Sequence, residues 1–117
     1  MRVVLYQWLR LQIVGYILDH CRDGDQVPSV RSFAAQHEAN PLTVAKAYDP
    51  LVRRGIIEAR RGVGMFVRPG GVARLRAQEK AWFLAETWPA LRREADRLSL
   101  DVNSLVHKAL GPELTVS

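Results

Sequence analysis

A single cysteine, Cys21, leaves no partner for an internal disulfide and no cysteine-based metal site. It falls at the end of an apolar helical stretch, which suits a half-buried small side chain. A lone thiol could act in redox sensing only by itself or across a dimer. The three histidines, His20, His37 and His107, lie at separations that match no metal-site spacing, and none accompanies a nucleophile motif. Gly62-Val63-Gly64 leads into an apolar β-prone stretch rather than a helix, so it is not a phosphate-cradling loop. Asp23 and Asp25 flank Gly24, which is ordinary turn chemistry. With these constellations missing, no catalytic site, metal or cofactor is expected, and the chain is not expected to be an enzyme. Long apolar runs are missing as well. The stretch near the N-terminus is broken by Arg10, Gln12, Asp19 and His20, too short to cross a bilayer and unlike a signal peptide. The expected location is therefore cytoplasmic, on the nucleoid, with no membrane partner. Internal repeats and low-complexity segments are also absent.

What remains is a chain of 117 residues, 48% hydrophobic, which fits one domain, or one small domain plus an appendage. Its net charge of +5 and sequence pI near 10.0 favour an anionic partner. The excess is unevenly spread. Residues 53–68 carry five arginines against one glutamate, Glu58, while residues 72–117 are nearly balanced, with seven basic and six acidic side chains. Arginines around a glycine-bearing hairpin turn are suited to phosphate contacts.

Taken in order, residues 3–21 predict a helix with two apolar stripes. Tyr6, Leu9, Ile13, Tyr16 and Ile17 form the expected core face; Val4, Trp8, Leu11, Gly15 and Leu18 form an outer stripe that calls for a cover. After the Asp23-Gly24-Asp25 turn, Ser29 caps a short helix that buries Val30, Phe33 and Ala34. Asn40 as cap and Pro41 at the first helical position start a second helix, with Val44, Ala47 and Tyr48 inward and Gly55 as its stop. Ile56-Ile57 and Phe66-Val67 predict two short strands joined by a turn containing Gly62 and Gly64. Helix, turn, helix and hairpin in this order make a winged helix, whose second helix suits a major groove. Pro69-Gly70-Gly71 follows as a hinge. Beyond it Ala77, Ala81, Leu84, Trp88, Leu91, Ala95 and Leu98 keep an alternating four-three spacing, a heptad-like seam that Pro89 is expected to bend. Trp82, Phe83 and Trp88 could be imagined as an effector cage, but helical spacing favours core or interface. Ser99 is the expected cap of a last helix that Gly111-Pro112 stops.

Val27-Pro28-Ser29-Val30-Arg31, Asn40-Pro41-Leu42-Thr43-Val44-Ala45-Lys46-Ala47-Tyr48 and Arg60-Arg61-Gly62-Val63-Gly64-Met65-Phe66-Val67 together resemble the N-terminal domain of GntR-type bacterial transcription regulators. The resemblance is close over residues 5–67, and the short helical tail is similar to the YtrA-like subfamily, which lacks a large effector domain. Three departures stand out: Ser32 where Glu would complete a capping box with Ser29, Glu38 at a turn position often held by Gly, and Pro50 inside the recognition helix, expected to kink it near Lys46. The resemblance implies that Arg31 contacts DNA.

These readings give an α+β, mostly helical fold: a winged helix-turn-helix at residues 1–68, a hinge at 69–71, and a helical dimerisation arm at 72–117. The expected function is sequence-specific binding of double-stranded DNA, at palindromic operators as a homodimer, to regulate transcription. The expected DNA-binding residues are Arg31, Asn40, Pro41, Thr43, Lys46, Arg60, Arg61, Gly62 and Gly64. The expected dimer interface comprises Trp8, Leu11, Ala81, Leu84, Trp88, Leu91, Ala95 and Leu98. A competing class is a winged-helix protein-interaction module that has lost DNA binding. The operator, the target genes, the sign of regulation and any small-molecule effector are not written in the sequence.

Overall fold

In the computed structural model, which describes residues 2–110 and the side chains of 5–108, the chain divides into two compact units, residues 1–78 and 79–117. The first begins with α1 (Arg2–His20), whose Leu9, Ile13 and Ile17 are fully buried, as their helical spacing requires. Val14 joins them while Tyr16 lies exposed, so the buried face is rotated toward Val14 from the one expected. Cys21 follows the helix, half-buried. Burial and then the Asp25 carboxylate push its thiol pKa up, which leaves little reactive thiolate near neutral pH.

Three short strands make one antiparallel sheet in the order β1-β3-β2. The hairpin of β2 (Ile57–Arg60) and β3 (Gly64–Val67) pairs Ile57 with Val67 and Arg60 with Gly64. A third strand, β1 (Gln26–Val27), is absent from the sequence reading; it adds Gln26 opposite Phe66 and Val27 opposite Met65. Between β1 and the hairpin run α2 (Val30–Gln36) and α3 (Pro41–Arg53). The core is formed by Leu9, Ile13 and Ile17 of α1, Phe33 of α2, Val44, Tyr48 and Leu51 of α3, and Ile56, Ile57 and Val67.

The end of α3 is built by Gly55 at φ +76°: its N–H donates to the Val52 carbonyl (3.1 Å) and that of Ile56 to Leu51 (2.9 Å). This is a Schellman motif, with buried Ile56 as its apolar contact. The same pair of bonds ends α2, where Ala39 N–H reaches the Ala34 carbonyl at 2.9 Å, but there the left-handed residue is Glu38, at φ +50°.

The Pro69-Gly70-Gly71 stretch is tied down rather than left as the dividing point. Asp23 accepts hydrogen bonds from Gly70 N–H (2.7 Å) and Val72 N–H (3.2 Å), so it caps α4 (Gly71–Trp82) from 47 residues away. A side chain at Gly71 would collide with the Ile56 carbonyl. Leu75 enters the winged-helix core and Arg74 donates to the Gly55 carbonyl. The units accordingly meet after Gln78, not at residues 69–71.

In the second unit, a π turn (Phe83–Thr87) precedes α5 (Trp88–Arg97). Pro89 has no N–H to donate, and just before it the helix widens so that Trp88 N–H bonds the Phe83 carbonyl. The last helix, α6 (Val102–Leu110), is capped by Asp101 rather than by Ser99. Asp101 accepts from Asn103 N–H (3.3 Å) and from the Ser104 hydroxyl (3.0 Å). Ser99 is instead the left-handed residue, φ +57°, of the motif that closes α5 through Leu100 N–H and the Ala95 carbonyl. The side chains of Val4, Ala109 and Leu110 and the Gly111-Pro112 stop lie outside the described residues. Among the described residues no helix is long and apolar enough to cross a membrane.

Candidate nucleic-acid interface

The start of α3 is set by its cap. Asn40 takes an extended backbone and its Oδ1 accepts from Leu42 N–H at 2.8 Å, with Pro41 behind it at the first helical position. Val44, Ala47, Tyr48 and Leu51 face the core. The helical period therefore turns Leu42, Lys46, Asp49 and Arg53 outward, and these residues, with Ala45, Pro50 and Tyr6 of α1, line one shallow open depression. Thr43 sits half-buried at the side of that stripe. Pro50 does not end the helix: α3 continues to Arg53, and Arg54 N–H still bonds the Pro50 carbonyl at 2.9 Å.

Behind α3, α2 fixes its orientation. Phe33 and Tyr48 meet edge to face, ring centroids 5.8 Å apart. The Tyr48 hydroxyl donates to the Pro28 carbonyl (2.7 Å), which ties α3 to the approach of α2; burial raises its pKa well above the usual phenol range, with Tyr16 adding to the effect. Ser29 caps α2 by accepting from Ser32 N–H at 3.1 Å. With serine at position 32 the cap has no reciprocal carboxylate, as expected. Arg31, in the first turn of α2, is exposed, and like Lys46 and Arg61 it has no hydrogen-bond or ion-pair partner among the described residues.

The wing is more ordered internally than its basic composition suggests. The Arg60 guanidinium lies 4.3 Å from the Phe66 ring centroid and 3.4 Å from Glu58, whose other oxygen is 3.9 Å from Arg68. Arg61, Gly62 and Val63 form the exposed tip, with Gly62 at φ +76°. Gly64 holds φ +134°, a conformation that disfavours other residues, and a Cβ there would stand 2.6 Å from Gln26 Nε2 and push that amide aside. That amide donates to the Val63 carbonyl (3.2 Å) and braces the turn from β1. Of the residues expected at the interface, Arg31, Lys46 and Arg61 are free for a ligand, Asn40 and Pro41 shape the helix start, Gly62 and Gly64 shape the wing, and Arg60 is held against it. Leu42, Ala45, Gln26 and Val63 belong to the same surfaces and escaped the sequence reading. Leu42 and Ala45 could have been found there, since a helical wheel places them away from Val44 and Tyr48.

Apolar surface is exposed in both units. Trp8 and Leu11 are exposed on α1, Trp8 with its ring edge-on to His37 at 5.5 Å. In the second unit Leu84, Leu91 and Leu98 are each more than half exposed, and Ala81 is exposed, whereas Trp88 is half-buried and Ala95 already covered within the chain at 8% exposure.

Comparison with known proteins bears on these surfaces. Over 61 residues the chain is 52% identical to the HTH-type transcriptional repressor YtrA of Bacillus subtilis, a match covering 48% of this chain and 47% of YtrA, about half the length of each. A transcriptional regulator from Oenococcus oeni superposes with a TM-score of 0.64 at 30% identity, covering 92% of this chain and 91% of the other. A GntR family transcriptional regulator from Listeria monocytogenes shares the fold, with a TM-score of 0.69 over 90% of this chain and 91% of the other at 24% identity. The model of the bacterial regulatory proteins of the gntR family matches residues 5–67, more than half of the chain, and the chain belongs to that family.

Proposed function

We propose that this protein is a sequence-specific double-stranded DNA-binding transcription regulator of the bacterial cytoplasm that acts as a homodimer on palindromic operators. The observation that carries the proposal is the pairing of a capped, outward-facing α3 with a hairpin whose tip offers an uncommitted Arg61. The N-terminal turns of α3 enter the major groove, with Lys46 beside the bases and Arg31 approaching from α2. Arg61 takes phosphate or the minor-groove edge, and Gly62 and Gly64 let the wing backbone come close. Arg60, stacked on Phe66, keeps the turn's shape while about half its side chain stays exposed toward the DNA.

The homodimer reading rests on the exposed leucines of the second unit, together with the outer stripe of α1. A symmetric partner would bury both and present two α3 helices to inverted half-sites. The full chain should select a discrete inverted repeat from random DNA and bind it with a strong inverse dependence on salt. Binding of random and selected DNA with equal affinity would overturn the sequence-specific reading, and binding of neither would leave the interaction-module reading instead.

A further inference from the structure

We infer that α3 reads its half-site largely through thymine 5-methyl groups, with Leu42 as the specificity-determining side chain and Ala45 beside it. The inference rests on the DNA-binding reading above and extends it to what the helix recognises. Leu42 is the most exposed large apolar side chain among the described residues, at 73%, and it stands in the first turn of α3. Its neighbours on the leading edge are Pro41 and Ala45, both exposed.

Hydrogen-bonding groups able to question a base edge are scarce there. Asn40, otherwise a candidate for adenine, has its Oδ1 committed to Leu42 N–H. Thr43 is half-buried, and Asp49 is engaged by Arg53 at 2.8 Å. Lys46 is the one uncommitted cation of the exposed α3 face among the described residues. An apolar front with uncommitted Lys46 beside it, on a domain that also leaves Arg31 and Arg61 uncommitted, fits a major-groove floor, where methyl groups project between two phosphate backbones. Thymine alone among the four bases puts a methyl there, and apolar side chains are its natural contacts.

The test separates the methyl from the rest of the base. An operator is selected with the full-length chain, and each half-site thymine is then replaced singly by deoxyuridine, which keeps the Watson–Crick pair and removes only the methyl. Wild-type protein should lose about fourfold in affinity at one or two positions, the value of one methyl-sized apolar group. Leu42→Ala should bind the thymine operator more weakly and lose the thymine–uracil difference at one of those positions. Its surface position predicts an unchanged melting temperature, and circular dichroism checks that it folds. Equal wild-type binding of thymine and uracil operators, a half-site without thymine, or Leu42→Ala retaining full methyl sensitivity would each overturn the inference while leaving DNA binding intact. Failure to select any operator would overturn both.

Discussion

Tyr48 shows how much one side chain can hold. It fills the core between α2 and α3 and spends its hydroxyl on the Pro28 carbonyl. Tyr48→Phe keeps the ring and removes the bond, so a cost of about 1 kcal/mol is expected in urea unfolding at neutral pH. The buried phenol also links stability to pH. Its folded pKa lies above the unfolded value near 10, so its contribution is complete below pH 10 and falls as pH rises beyond it. The wild type should therefore lose stability more steeply than the phenylalanine variant above pH 10. Parallel curves would show that another group governs the alkaline limb. At the surface, Glu38 holds the left-handed position that a Schellman motif usually gives to glycine. Glu38→Gly should stabilise the fold by about 0.5–1 kcal/mol, since relief of the strained φ outweighs glycine's added freedom when unfolded. A lower melting temperature for that variant would count against the strain argument. Arg31 and Arg61 differ in what they face. Arg31→Ala should cost about 1–3 kcal/mol on the specific site and blur its sequence preference, as for a lost bidentate base contact. Arg61→Ala should weaken all DNA alike and reduce the salt slope by about one unit. Identical losses on specific and random DNA in both variants would erase the distinction between groove and wing.

At the scale of the element, α3 is the instructive case, because its ends and its interior obey different rules. Asn40, Pro41 and Gly55 mark its limits by local chemistry: the structure uses Asn40 as the N-cap, Pro41 as the first helical residue and Gly55 as the left-handed residue that closes the helix. Pro50 breaks the local rule, yet the helix runs through it to Arg53 because Val44, Tyr48 and Leu51 bury their side chains on both sides of it. The carbonyl of Lys46 loses its helical donor on an exposed face, where water can replace it. Pro50→Ala restores the donor and removes the ring clash, worth about 3 kcal/mol, against about 1 kcal/mol of added freedom in the unfolded chain. A net gain near 2 kcal/mol is expected in urea titration. Unchanged stability would mean that the core has adapted to the proline. The strand β1 was not legible, since two residues carry no periodicity and pair only with a strand 40 residues away. The cap of α6 was legible in kind but misplaced by two residues: Ser99 and Asp101 are both capping types, and only the closing turn of α5 decides between them.

For the whole molecule, the boundary between the units changes the design of any truncation. A chain ending at residue 71 would remove Leu75 from the core, a loss comparable to large-to-small substitutions that cost about 2–5 kcal/mol. A chain ending at Gln78 keeps it, along with the Asp23 cap on α4. The 1–78 fragment should fold, sediment as a monomer and bind a palindromic site roughly 10²–10⁴ more weakly than the full chain, because the second half-site contact is no longer intramolecular. A 1–78 fragment that stays dimeric, or binds the palindrome as tightly as the full chain, would remove the second unit from the dimer interface.

The order of the first three helices and the hairpin, the caps of α2 and α3 and the basic character of the wing were all determined by the sequence alone. Each depends on residues within a few positions of one another, or on a simple period of burial. Tertiary structure decided the features that join distant residues. Asp23 reaches across 47 positions to turn a Pro-Gly-Gly stretch from a hinge into a capped helix start, and Gln26 braces a wing turn 37 positions away. It also decided which arginines are free: Arg60 and Arg61 are adjacent and chemically identical, yet only one finds Phe66 and Glu58 within reach. Local propensity acts through the chain's own neighbours, whereas such pairings exist only after loop closure has brought the partners together.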